Sequence, residues 1–191
     1  MDLKRNAYEQ MVAWKRRAGH RTLEVSGARQ VGKTYLVNKF ADNEYEHKEY
    51  INLLEMSGEL FMDHYRQIRE DMKNGLRLSN PVLELMKRYD PAFEDNENTV
   101  VIIDEIQESA EIYNRIREFT RYMKSDFIVT GSYLGRVLNK EFKYSAGDMV
   151  SLEIHTLDFE EFLYAVDAID QFGSLDLFGG SESSVYECLS K

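Results

Sequence analysis

The residues best equipped for chemistry stand together in Ser26-Gly27-Ala28-Arg29-Gln30-Val31-Gly32-Lys33-Thr34. This stretch satisfies the phosphate-binding pattern G-x-x-x-x-G-K-[ST] at every required position. A triphosphate carries several negative charges, so a loop that holds one must offer donors without side-chain clashes. Gly27 and Gly32 permit a tight turn and a close backbone approach. The amides of Ala28, Arg29, Gln30 and Val31 are then expected to face the phosphates. The positive end of the following helix reinforces them, with Lys33, Thr34 and Tyr35 in its first turn. Lys33 is expected to reach the β- and γ-phosphates, and the Thr34 hydroxyl to be a ligand of Mg²⁺. A glycine-rich turn that binds nothing would leave four fixed positions and a second matching motif unexplained.

That second motif follows Thr99-Val100-Val101-Ile102-Ile103, a continuous β-branched run suited to a parallel strand covered on both faces. It ends in Asp104-Glu105-Ile106-Gln107. Acids at the C-terminal tip of a buried strand lie where open α/β sheets bind ligands. Asp104 fits the Walker B role of holding Mg²⁺, and Glu105 is the carboxylate that could orient and deprotonate an attacking water. Asp126-Phe127-Ile128-Val129-Thr130-Gly131-Ser132 reads as another strand, ending in hydroxyls. Thr130 and Ser132 are both candidates for touching the γ-phosphate or placing the water, and either could equally be a local turn cap.

Several elements must position these groups. Thr22-Leu23-Glu24-Val25 reads as the strand before the loop, and Leu36, Val37 and Phe40 form the stripe of the helix after it. Ala7, Tyr8, Met11, Trp14 and Ala18 stand at helical spacing; the helix could wall an adenine pocket, with Trp14 itself read as packing. Tyr50–Leu54 reads as a second strand, and Leu60, Phe61, His64, Tyr65, Ile68 and Met72 as one helix face. Asn80-Pro81 opens a shorter helix, with Asn80 as cap and Pro81 in the first turn. From Ser109 a helix is expected to carry Ile112, Ile116, Phe119 and Met123. Met149–Ile154 alternates like a final strand, and Asp158 with Glu161 forms a capping box ahead of an inward face of Phe162, Leu163, Val166 and Ile169. Asn139-Lys140-Glu141-Phe142 lacks the carboxylate of a guanine-reading N-K-x-D motif and is set aside.

At 191 residues the chain suits one α/β domain with a small appendage. No apolar run approaches a membrane span, no signal-peptide core follows Met1, and a single cysteine, Cys188, suits a reducing cytoplasm. The net charge is −10, unevenly spread: residues 1–40 hold nine Lys/Arg against three Asp/Glu, and the remainder 15 against 31. An acidic body argues against non-specific nucleic-acid binding by most of the surface. The basic group Lys15, Arg16, Arg17, His20 and Arg21 could touch a polyanion, but a solvated helix end close to a nucleotide is the preferred reading.

Taken together, the loop Gly27–Thr34, Ile103-Asp104-Glu105-Ile106-Gln107, Thr130-Gly131-Ser132 and Leu157-Asp158-Phe159-Glu160-Glu161-Phe162-Leu163 resemble one family. It is the prokaryotic AAA-like P-loop ATPases that usually carry a C-terminal domain of unknown function. The resemblance covers most of residues 1–166. It implies a three-layer α/β fold, RecA-like, with a five-stranded, mostly parallel sheet ordered 5-1-4-3-2. It also implies binding of ATP with Mg²⁺ and Glu105 as hydrolytic base. Family members usually have Pro where this chain has Thr156, and they normally continue into a second domain. Residues 1–170 are therefore expected to form the ATPase core, and 171–191 a linker or the start of a truncated C-terminal region. No arginine finger is assigned; Arg136 is available.

The function expected is an ATPase whose hydrolysis to ADP drives a conformational switch, acting on an unidentified protein partner or the missing C-terminal domain. A nucleotide-binding interaction module with negligible hydrolysis is the main alternative. A nucleic-acid-coupled ATPase is a further one, resting only on the basic N-terminal residues.

Overall fold

The computed structural model describes residues 4–17, 21–132 and 149–167. Five strands form one sheet: β1 (Thr22–Gly27), β2 (His47–Asn52), β3 (Thr99–Asp104), β4 (Asp126–Ser132) and β5 (Met149–Ile154). They stand in the order β2-β3-β4-β1-β5, and every pairing is parallel. From the other edge this is the expected 5-1-4-3-2.

Parallel strands need crossover connections, and the helices that supply them cover both faces. On one face lie α1 (Asn6–Lys15) and α2 (Lys33–Glu44), burying Met11, Trp14, Leu36, Val37 and Phe40 against Leu23, Val25, Val100, Ile102 and Ile128. On the other lie α3 (Met56–Lys73), α4 (Pro81–Tyr89), α5 (Ala110–Tyr113) and α6 (Ile116–Tyr122), packed on Ile51, Val101, Ile103, Phe127 and Val129. β3 therefore sends alternate residues into two cores, which explains its uninterrupted apolar run. A last helix, α7 (Phe159–Ala165), opens with the expected capping box of Asp158 and Glu161. No helix among the described residues is long and apolar enough to cross a membrane.

Four local expectations shift. β2 runs from His47 to Asn52 rather than from Tyr50 to Leu54, because its pairing starts at His47↔Thr99 and ends at Asn52↔Asp104. An edge strand tolerates the polar His47, Lys48 and Glu49, so hydropathy conceals its start. On α3, Leu60 and Met72 are exposed while Phe61, Tyr65 and Ile68 are buried. The helix from Ser109 is broken at Asn114-Arg115 into α5 and α6, although all four stripe residues are buried. Val166 is exposed at the end of α7, and Ile169 lies outside the described residues.

One carboxyl pair makes the fold pH-sensitive. Glu49 on β2 faces Asp90, which ends α4, and its carboxyl is pushed up to about 7, by burial first and then by the charge and hydrogen bond of Asp90. A raised folded value means that the native state resists ionising Glu49. Its stabilising contribution is therefore complete below the unfolded value of 4.5 and is lost as pH rises through about 7. Glu49→Gln is expected to melt above the parent chain in mildly alkaline buffer, with the gap closing in acid. Equal melting temperatures across that window would remove Glu49 as the cause.

Candidate functional site

Four chain segments converge at the C-terminal edge of the sheet. β1 ends at Gly27, and the chain turns back into α2 through three residues of positive φ, Gly27 (+148°), Gln30 (+66°) and Gly32 (+88°). Gly32 is the residue before the first turn of α2, whose leading amides have no carbonyl within the helix to pair with. Ala28, Arg29 and Gln30 are exposed on the loop, and Val31 is buried beneath it. Lys33 Nζ donates to the carbonyl oxygens of Gly27 at 3.1 Å and Ala28 at 2.7 Å, so the ammonium lies across the loop. Burial pushes the Lys33 ammonium below its ordinary value; Glu105 and then Asp104 pull it upward, and Arg29 adds to the depression. A partly desolvated cation of this kind gains from an anionic partner.

The two sequence motifs meet at Asp104. Thr34 Oγ1 donates to Asp104 Oδ2 at 2.9 Å across 70 residues of chain. Asp104 is only 3% exposed, and donors surround both of its oxygens. Tyr50 Oη donates to the same Oδ2 at 2.6 Å, while the Glu105 amide at 2.8 Å and the Thr130 hydroxyl bond Oδ1. Burial and the Asp104 hydrogen bond raise the Tyr50 phenol above its usual value, so it remains a donor. Thr34 and Asp104 are hard oxygen donors, and among the described residues no group of three or more His, Cys, Asp and Glu could cage a metal. That set fits Mg²⁺, which takes one or two carboxylates and completes its shell with phosphates and water.

Glu105 has left-handed backbone angles, φ 56° and ψ 42°, at a non-glycine position. Such conformations cost free energy and persist where the surroundings enforce them. Here the enforcement comes from both sides. Its amide is held by Asp104, and its carboxylate accepts from Gln107 Nε2. Gln107 Oε1 in turn accepts from the Ser132 amide at 3.1 Å. A Cβ at residue 131 would stand 2.5 Å from that Gln107 oxygen, so Gly131 leaves room for the bridge. Thr130 is thus tied to Asp104, whereas Ser132 meets the Gln107 bridge through its backbone.

A cleft of about 530 Å³ opens beside the loop, lined by Arg5, Gln30, Val31, Gly32, Tyr35, Leu36, Thr156 and Leu157. Arg5 precedes α1 and donates to the carbonyl oxygens of Val31 at 3.3 Å and His155 at 2.6 Å, while its Nε pairs with Glu161 at 3.2 Å. The start of α1 therefore borders the cleft. Trp14, at the other end of α1, packs on Phe40 with ring centroids 6.3 Å apart, as its packing role requires.

Sequence reasoning missed Tyr50, Arg5 and the bridging role of Gln107. Only Gln107 left a signal, its place in the motif after Glu105; Tyr50 and Arg5 reach the site from distant segments. The basic group requires a correction. Lys15, Arg16, Arg17 and Arg21 lie between the end of α1 and the start of β1, whereas the phosphate-type loop follows the end of β1, so they are not close to a nucleotide held there. His20, Arg136, Asn139–Phe142, Cys188 and residues 171–191 lie outside the described residues.

The family model described as an AAA domain matches residues 19–163. No curated protein matches the sequence. Among solved structures, the chain is similar to the Aeropyrum pernix ORC2 protein in its ADPNP-ADP complexes, with 15% identity and a TM-score of 0.46. The match covers 86% of this chain and 49% of that one, so the chain spans about half of its length.

Proposed function

The chain belongs to the AAA domain family, and from that premise we propose that it binds ATP at Gly27–Thr34 and hydrolyses it to ADP and phosphate. The observation that carries this reading is the 2.9 Å contact between Thr34 and Asp104, which joins the phosphate-type loop to the acidic motif.

The loop amides and Lys33 would hold the β- and γ-phosphates, and the cleft beside Arg5, Tyr35 and Leu157 would take the nucleoside. Thr34 and Asp104 would hold Mg²⁺, which supplies charge neutralisation on the phosphate oxygens when bound. Tyr50 and Thr130 fix the Asp104 carboxylate in the orientation this needs. Glu105 takes the proton of the attacking water, and Gln107 orients its carboxylate. Thr130 or Ser132 completes the γ-phosphate end. Movement is proposed to leave the site through Arg5, which touches Val31 in the loop and Glu161 in α7 at once. A change in loop position would thus be felt at the last described helix. We assign residues 1–170 to this core and 171–191 to a connection with a further domain or protein partner. The single cysteine supports a cytoplasmic setting.

The loop assignment is tested by Lys33→Ala. Loss of one hydrogen bond between charged groups, about 1.5–3 kcal/mol, should weaken ATP binding roughly 10- to 100-fold by calorimetry. Equal affinity in both proteins would contradict the assignment. In a second reading, a nucleotide-binding module without turnover, the same Gln107 contact would hold the Glu105 carboxylate away from a water rather than orient it. Multiple turnovers by the purified chain would reject it.

A further inference from the structure

The far end of the sheet carries a second charged feature that the nucleotide site does not use. An open cleft of about 690 Å³ lies between the C-terminal ends of α1 and α6, beneath the first residues of β1 and β4. Lys15, Arg17, Arg21, Arg121 and Lys124 line it, against Glu97 and Asp126. This is a cationic cleft in a chain whose net charge is −10. We propose that it is a binding site for adjacent phosphate groups, separate from the site at the loop.

Two of the five cations have local explanations. Lys15 donates to the Glu44 carbonyl oxygen and stands 3.8 Å from the Tyr45 ring centroid, and it also suits the negative end of α1. Arg121 sits in the last turn of α6, where the same reasoning applies. Arg17, Arg21 and Lys124 do not fit it. They lie beyond the helix ends, Arg21 immediately before β1 and Lys124 in the link to β4. Their side chains form no ion pair or hydrogen bond among the described residues, and all three are exposed. The two acids offset only part of this charge, since five cations line the cleft against two carboxylates. Three unpaired cations on one concave surface raise the local concentration of an anion, and walls of low dielectric strengthen the effect.

The acidic remainder of the surface limits the footprint to a few phosphates. Free polyphosphate and a short run of phosphodiesters in single-stranded nucleic acid share this chemistry. The strand length of β1 places the cleft about 16 Å from the loop, so the two sites can be probed apart. Trp14, the chain's single tryptophan, lines the cleft and reports on it by its own fluorescence.

The experiment titrates the full chain at low salt with sodium tripolyphosphate and, separately, with a labelled oligodeoxynucleotide of mixed sequence. Trp14 emission and anisotropy are the readouts. At least one probe should bind and shift Trp14 emission, and the double variant R21E/K124E should weaken that binding about tenfold or more. Lys33→Ala should leave the Trp14 response in place. If the oligonucleotide binds, log K should fall with log salt at a slope of about −2, as three contacts to a single strand require. Response to tripolyphosphate alone identifies a free polyphosphate as the source. Should R21E/K124E melt early, R21Q/K124Q with a weaker but measurable loss serves instead. No Trp14 response to either probe, or equal binding by the neutralised variant, overturns the site.

Discussion

Replacing Glu105 by Gln is expected to preserve ATP binding and to lower turnover roughly 10²- to 10⁴-fold, the range for removing a general base. The substitution keeps the side chain's size and its ability to meet Gln107, and removes only the capacity to accept a proton. The backbone around it is already committed: the left-handed angles at Glu105 are held by its backbone N–H donating to the Asp104 carboxylate, which an amide side chain leaves alone. A loss in kcat with little change in ATP affinity is therefore the signature to seek, by phosphate release beside calorimetry. Unchanged release would take Glu105 out of the mechanism while leaving the loop assignment standing. A parallel loss of binding would instead point to a disturbed Asp104.

Gly27→Ala is the second large effect, and it concerns the frame rather than the chemistry. Gly27 is the last residue of β1, paired with Ser132 on β4 and Ile154 on β5. A Cβ there would stand 2.1 Å from the Ile154 carbonyl oxygen, and the backbone sits at φ +148°. The obstacle is backbone, so no rotamer change relieves it. Strain and overpacking of about 1–3 kcal/mol each should together cost about 3 kcal/mol or more, equivalent to ~10 °C in Tm. Gly75→Ala separates the two causes. Gly75 also has positive φ, +108°, yet nothing lies within 4 Å of its added Cβ, so strain alone should act. If both variants melt alike, contact with β5 is not what requires glycine at 27.

Both effects act at residues whose types were legible in the chain. The loop and Asp104-Glu105 could be read because their chemistry depends on residue type at short, fixed spacing. The central strand β3 was equally plain, because burial on both faces demands an unbroken apolar run. Asn80 and Asp158 showed their helix starts for the same local reason: each caps an amide three residues away.

What the tertiary structure decided were the meetings between segments. Tyr50 reaches Asp104 only because β2 pairs beside β3, and Arg5 reaches both Val31 and Glu161 only because α1 begins where α7 packs. The basic residues before β1 were recognisable as a group, but their distance from the loop follows from the direction of one strand. Local spacing records the chemistry a short segment can perform, because backbone geometry couples residues a few positions apart. It carries no comparable record of which distant segment stands opposite, since burial and hydrogen bonding settle that only once the sheet has assembled.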